Sequence, residues 1–247
     1  MTEYEDVIIG SKAMPVEDWQ RMAVFSIVTM VLHSMKIGFF VLLYLAKRLG
    51  VKYTDFIAFL SDRKMSASAA PILYKEISRY YEHTEKILKG LGKGAEEAQY
   101  GEIYWDVEEA SFLRITEKLD DFYEEMFQVI VLFLQENKVS FDSSELREAI
   151  LYQRARISSP TPMKVSEITF QSNFPDYFDH ILTTHPIPLS SQPQSMKLHP
   201  KDYQGNKQEF ARETVLWGRK SGKGLVRVEK AEDSPYAKSP AVSQHSS

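Results

Sequence analysis

Residues 107–137 carry the clearest pattern in the chain: Ile115, Leu119, Phe122, Met126, Ile130 and Phe133 recur at steps of three and four. That spacing lines one face of a helix, so the whole stretch is expected to form one long amphipathic helix. Starts and stops punctuate the rest of the first part. Pro15 followed by Glu17 and Asp18 sets up a helix N-terminus, with acids facing the positive end of the dipole. Tyr53-Thr54-Asp55 opens a further helix; residues 69–91 form another, with Pro71 in its first turn and Gly90 and Gly92 to stop it. Asp142-Ser143-Ser144-Glu145 reads as a capping box for a helix through Arg156. Asp6-Val7-Ile8-Ile9 reads as a short buried strand running into a turn at Gly10. Six or seven helices are expected by Ile157.

Proline divides the chain. Only Pro15 and Pro71 of the 11 prolines precede Ser159, and seven lie between Pro160 and Pro200. Proline removes a backbone donor and breaks helix interiors, so the first part can be continuously helical and the second cannot. The expected fold is mainly α. A helical domain with a short N-terminal strand occupies residues 1–158, and a smaller α+β part with a Pro-rich connector residues 159–230. Within that second part, residues 165–170 and 225–228 read as strands, Pro175-Asp176 starts a short helix, residues 207–217 form another, and residues 183–200 are the connector. Residues 231–247 have the composition of a disordered tail.

Lys36 is the one full charge between residues 22 and 46, and it divides an apolar run into pieces of 14 and 10 residues. A membrane span needs about 20 consecutive apolar residues. His33, Ser34, Lys36 and Gly38 cluster between the pieces, so two buried helices packed as a hairpin are expected. A kinked span or a peripheral membrane contact is the alternative. Acidic Glu3, Glu5 and Asp6 stand where a secretory leader would be basic, so no signal peptide and a cytoplasmic location are expected.

Composition narrows the chemistry. The chain has 247 residues, 43% hydrophobic, enough for a substantial core. It has no cysteine, which removes thiolate nucleophiles, disulfides and Cys-held zinc or iron–sulfur clusters. The net charge of −4 argues against a dedicated nucleic-acid binder. That charge is uneven: residues 1–157 carry −6 and residues 158–247 carry +2.

Glu117, Asp120, Asp121, Glu124 and Glu125 invite a di-metal reading, but the Glu-x-x-His pairs of such sites are missing. These acids are expected to form a solvated helix face. His33, His83, His180, His185, His199 and His245 show no metal-ligand spacing. Gly90-Leu91-Gly92-Lys93-Gly94 follows a helix, which makes it a stop and not a dinucleotide loop. Residues 218–224 lack the Ser or Thr and the upstream glycine of a phosphate loop. They remain a basic hairpin: residues 207–230 hold seven Lys and Arg against three Glu, with Trp217 among them. Such a patch is compatible with contact to a phosphate, an anionic substrate or a partner, and equally with a solvated turn. Trp19 and Trp105 are expected to anchor helix packing. No Gly-x-Ser-x-Gly elbow is present.

Taken in order, several segments resemble one family. Ala13-Met14 with Glu17-Asp18-Trp19, then His33 in an apolar helix, is similar to the region after the catalytic barrel of cobalamin-binding radical S-adenosylmethionine proteins. Tyr44-Leu45, Gly50-Val51, Tyr53 to Phe56, Trp105 to Leu113 and Phe122-Tyr123 continue the likeness. So does Phe210-Ala211-Arg212 with Trp217-Gly218-Arg219, and the resemblance runs from Val7 to Glu229. It rests on order and spacing. That family carries a cobalamin-binding domain and a partial barrel that holds an iron–sulfur cluster through Cys-x-x-x-Cys-x-x-Cys; this chain has neither.

The resemblance therefore implies an accessory, non-catalytic region shaping a substrate site. The iron–sulfur cluster, S-adenosylmethionine and cobalamin would belong to a parent or partner, and the partner would be a radical S-adenosylmethionine/cobalamin-binding domain or subunit. This chain itself is expected to bind no cofactor or metal. His33, Lys36, Trp217, Arg219 and Lys220 are the contact candidates. Two other expectations stand beside this one. One is a self-contained helical interaction or membrane-surface protein. The other is a cofactor-independent enzyme using His33 with a nearby carboxylate.

Overall fold

The computed structural model describes residues 6–92, 95–218 and 224–230. It is mainly α-helical with a small α+β end. Seven helices precede Arg156: α1 (Val16–Thr29), α2 (Phe39–Lys47), α3 (Tyr53–Ser61), α4 (Pro71–Leu88), α5 (Val107–Thr116), α6 (Leu119–Glu136) and α7 (Ser143–Ala155). A two-residue pair, β1 (Ala95–Glu96) and β2 (Tyr104–Trp105), is inserted before α5. Beyond α7 come β3 (Ser166–Phe170), α8 (Phe174–His180), β4 (Gln194–His199), α9 (Lys207–Ala211) and β5 (Arg227–Lys230), with β4 central in an antiparallel sheet.

The hairpin expected from residues 22–46 is present, and its bend has an identifiable cause. α1 runs into a π-helical turn, Met30–Ser34, and α2 leaves at 96° to it. Gly38 makes the corner possible: its N–H donates to the Leu32 carbonyl at 2.9 Å, and a Cβ there would lie 3.0 Å from Leu32 Cδ2. Lys36 takes the left-handed conformation, φ 67°, that follows many helix ends. The apolar side chains Val24, Val28, Leu32, Val41, Leu42 and Leu45 are all buried. Each such side chain withdrawn from water contributes about 1.5–3 kcal/mol, so the run is explained as core. Trp19 and Trp105 are also buried, as their expected packing role requires.

Four expectations are corrected. Residues 6–9 form no strand; among the described residues nothing pairs with this segment, and Ile8 is 78% exposed. A lone strand has nowhere to place its hydrogen bonds. The helix expected over residues 107–137 is two, broken at Glu117-Lys118, although Ile115 and Leu119 are buried on both sides of the break. The connector over residues 183–200 contains β4, whose flanking prolines hid it. The Asp142 cap forms, accepting from the Ser144 and Glu145 N–H groups, but Glu145 turns away to accept from Tyr44 and Arg48. A reciprocal capping box forms instead between Asp106 and Glu109 at the start of α5. Residues 231–247 lie outside the described residues.

The two parts share one apolar core. Phe40 of α2 and Tyr152 of α7 meet Phe178 of α8 at ring distances of 5.3 and 4.6 Å. Residues 224–226 pair with residues 156–158: Val226 N donates to Arg156 O at 2.7 Å and Ser158 N to Gly224 O at 3.0 Å.

Candidate functional site

An open cleft of about 680 Å³ lies between the N-terminal half of α4, the C-terminal end of α5 and the first turns of α6. That volume is typical of a small-molecule site. Its floor is a buried ionic network. The Glu76 side chain is 6% exposed and accepts from Arg114 Nη2 at 2.6 Å, from Arg79 and from Ser111 Oγ at 2.9 Å. Arg114 also donates to Glu97. Ser111 meets the Tyr80 hydroxyl at 2.5 Å. Burial opposes the charge on Arg114, yet hydrogen bonding to Glu76 and the field of Glu76 and Glu97 hold its pKa above the ordinary value. Burial, with Glu76 behind it, holds the Tyr80 phenol protonated well past its usual range.

The acids between residues 117 and 125 are more than a solvated face, which corrects the reading from spacing. Glu125 accepts from the Ile72 and Leu73 N–H groups at 2.9 and 3.0 Å and so caps α4. Glu117 accepts from the Tyr100 hydroxyl and from Lys207 Nζ, the latter at 3.1 Å, tying α9 to the cleft. Asp120 pairs with Arg154 at 2.6 Å, and that hydrogen bond draws its pKa below the usual carboxylate range. Among the described residues that line the cleft, Lys75, Lys118 and Asp121 are exposed charges without an ion pair. The cleft therefore offers a fixed floor and a rim of both signs, suited to holding a polar ligand. Among the described residues no group of three or more His, Asp or Glu side chains is arranged to hold a metal ion.

The residues singled out from sequence lie elsewhere. His33 is exposed at the end of the π turn, its ring 5.2 Å from that of Phe39. Lys36 is half-buried with Nζ 3.9 Å from the centre of the same ring. Burial, and then the charge of Lys36, keep the His33 pKa below its ordinary value; burial lowers that of Lys36. Among the described residues no carboxylate pairs with His33, so the acid–base enzyme expectation lacks its second group. Trp217 is 69% exposed and follows a second π turn, Arg212–Leu216. The structure brings the two regions together. Ser34, Met35 and Lys36 line a crevice of about 20 Å³ with Thr214, Gly218 and Gly224. Arg219 and Lys220 lie outside the described residues.

Sequence reasoning missed two groups. The Glu76–Arg114–Glu97 network joins residues far apart in the chain, and no local spacing announces it. Arg156 is half-buried, its guanidinium 5.3 Å from the Phe40 ring and donating to the Tyr152 hydroxyl at 2.8 Å. Its place at the end of α7 had marked it only as a helix terminus.

No single helix is long and apolar enough to cross a membrane; α1 with its π turn and α2 meet the length and composition of a span only as the pair bent by 96°. No family model matches the chain, and no curated protein matches it.

Proposed function

We propose that this chain is an accessory, non-catalytic domain that supplies one wall of a substrate site, as its resemblance to the region after the barrel in cobalamin-dependent radical S-adenosylmethionine proteins implies. In this reading the reactive groups sit on other domains or on another chain, and the α4–α5–α6 cleft orients the substrate. The observation that carries it is the cleft, about 680 Å³ in volume, with its charged floor held in mutual pairs. A carboxylate already accepting from two arginines and a serine has its lone pairs committed. It suits positioning better than proton transfer, for which a group must be free to change partners.

The test is to tag the chain in its source cells, purify it anaerobically, and record intact masses and the visible spectrum of the eluate. A companion or longer parent chain with iron–sulfur and corrinoid absorbance is the expected result. A colourless species eluting alone would overturn the reading and favour an independent interaction protein.

A further inference from the structure

The charges that a cleft leaves unmatched select its ligand, because charges already paired at close range have their partners. In the α4–α5–α6 cleft most charges are matched internally. Glu76 serves Arg79 and Arg114, Glu117 pairs with Lys207, Glu124 pairs with Arg147 at 3.3 Å, and Glu125 caps α4. Among the described residues that line the cleft, Lys75, Lys118 and Asp121 are left over, two cations and one acid.

The helices place these three around one space. α6 runs antiparallel to α4: Glu125 reaches the Ile72 and Leu73 N–H groups at the start of α4, and Phe122 borders a small void with Glu76, Ile77 and Tyr80 further along it. Lys75 therefore belongs to one wall of the cleft, and Lys118 and Asp121 to the other. Lys118 is the N-cap of α6 and Asp121 its third residue, about 4.5 Å apart along the axis. A carboxylate held by the lysines leaves an ammonium within reach of Asp121. Ions of one sign fit less well. A simple anion at the lysines would lie beside Asp121, and a simple amine at Asp121 beside two ammonium groups, and like charges so placed repel. Ala69, Pro71 and Ile72 add apolar surface to the same cleft.

We propose that the cleft binds a zwitterion of the amino-acid type, free or as a short peptide, with its carboxylate between Lys75 and Lys118 and its ammonium at Asp121. The proposal rests on the accessory-domain reading only for the assignment of the cleft as the ligand site.

Calorimetric titration of the full chain, with any companion chain retained through purification, tests this at constant ionic strength. The probes are alanine, trialanine, and the N-acetyl and C-amide derivatives of each. Saturable binding of alanine or trialanine is expected, and the tighter of the two tells a free amino acid from a peptide. Each derivative lacks one charge and should bind about tenfold more weakly than its parent, the scale of one charge-assisted hydrogen bond. Lys118→Gln and Asp121→Asn should each weaken the parent about tenfold, and Asp121→Asn should also erase the preference for it over the N-acetyl form. Both side chains are exposed, so the fold should survive either change. Lys47→Gln, outside the cleft, should leave the affinity unchanged. Absence of saturable binding, wild-type affinity for the N-acetyl form equal to that for the parent, or binding that both cleft variants leave intact overturns the proposal. A colourless chain that elutes alone yet binds the zwitterion refutes the accessory role and keeps the ligand. A companion with iron–sulfur and corrinoid absorbance, together with failed binding, refutes the ligand and keeps the role.

Discussion

The cleft floor and the α1–α2 corner are both built from charged groups held against the apolar core, and they are built in opposite ways. At the floor each half-buried arginine is matched: Glu76 serves Arg79 and Arg114, and Glu97 completes Arg114. At the corner Lys36 and Arg156 rest on aromatic rings and, among the described residues, neither forms an ion pair. A matched network holds helices in register and is structural whether or not anything binds. Cations held on rings alone give the corner no such tie, and their partial burial costs stability.

Breaking the matched side should have the largest effect. Glu76→Ala leaves Arg114 and Arg79 without their shared carboxylate and should cost about 3–5 kcal/mol, as removal of one partner of a buried pair does; urea unfolding measures it. A loss below about 1 kcal/mol would mean that the floor is wetter than its burial indicates. Next comes the support of the corner. Gln153→Ala strips the buried Phe40 N–H of its acceptor, which should cost about 1–3 kcal/mol in the same assay. An unchanged midpoint would show that the corner stands without Gln153.

Start and stop residues located the beginnings of α1, α3, α4 and α7 and the ends of α4 and α7, because those signals are local. It failed where the deciding partner is distant. Residues 6–9 have strand-like residues but no strand to pair with, and β4 has partners on β3 and β5 that its prolines disguise. The break at Glu117-Lys118 passes unnoticed because Ile115 and Leu119 keep the period across it. The corner was half legible: His33 and Lys36 stand out as polar residues in an apolar run, while Arg156 acquires meaning only when α7 packs on α2. The cleft was not legible, since its acids and bases come from three helices and read separately as ordinary polar faces.

The unmatched side should respond in the opposite direction. Lys36→Gly relieves a left-handed lysine and removes an uncompensated charge, so a gain of up to about 1 kcal/mol is expected; a loss would mean that Lys36 is a structural contact. The smallest effect is in pH dependence. The folded His33 pKa is lowered from 6.5, by burial first and then by Lys36, so the folded state binds fewer protons than the unfolded chain. Its contribution is therefore intact above that value and declines as the pH falls through it toward the lower folded pKa. His33→Gln should flatten that part of the stability profile between neutral and mildly acidic pH, and an unaltered profile would place the titration elsewhere.

The contrast between the two regions is tested most directly by urea unfolding of the wild-type chain, Glu76→Ala and Lys36→Gly under identical conditions. Loss of the shared carboxylate should lower stability by about 3–5 kcal/mol, while loss of the lysine should leave it unchanged or raise it by up to about 1 kcal/mol. Equal losses in the two variants, or a larger one in Lys36→Gly, would show that the corner is tied together as the floor is.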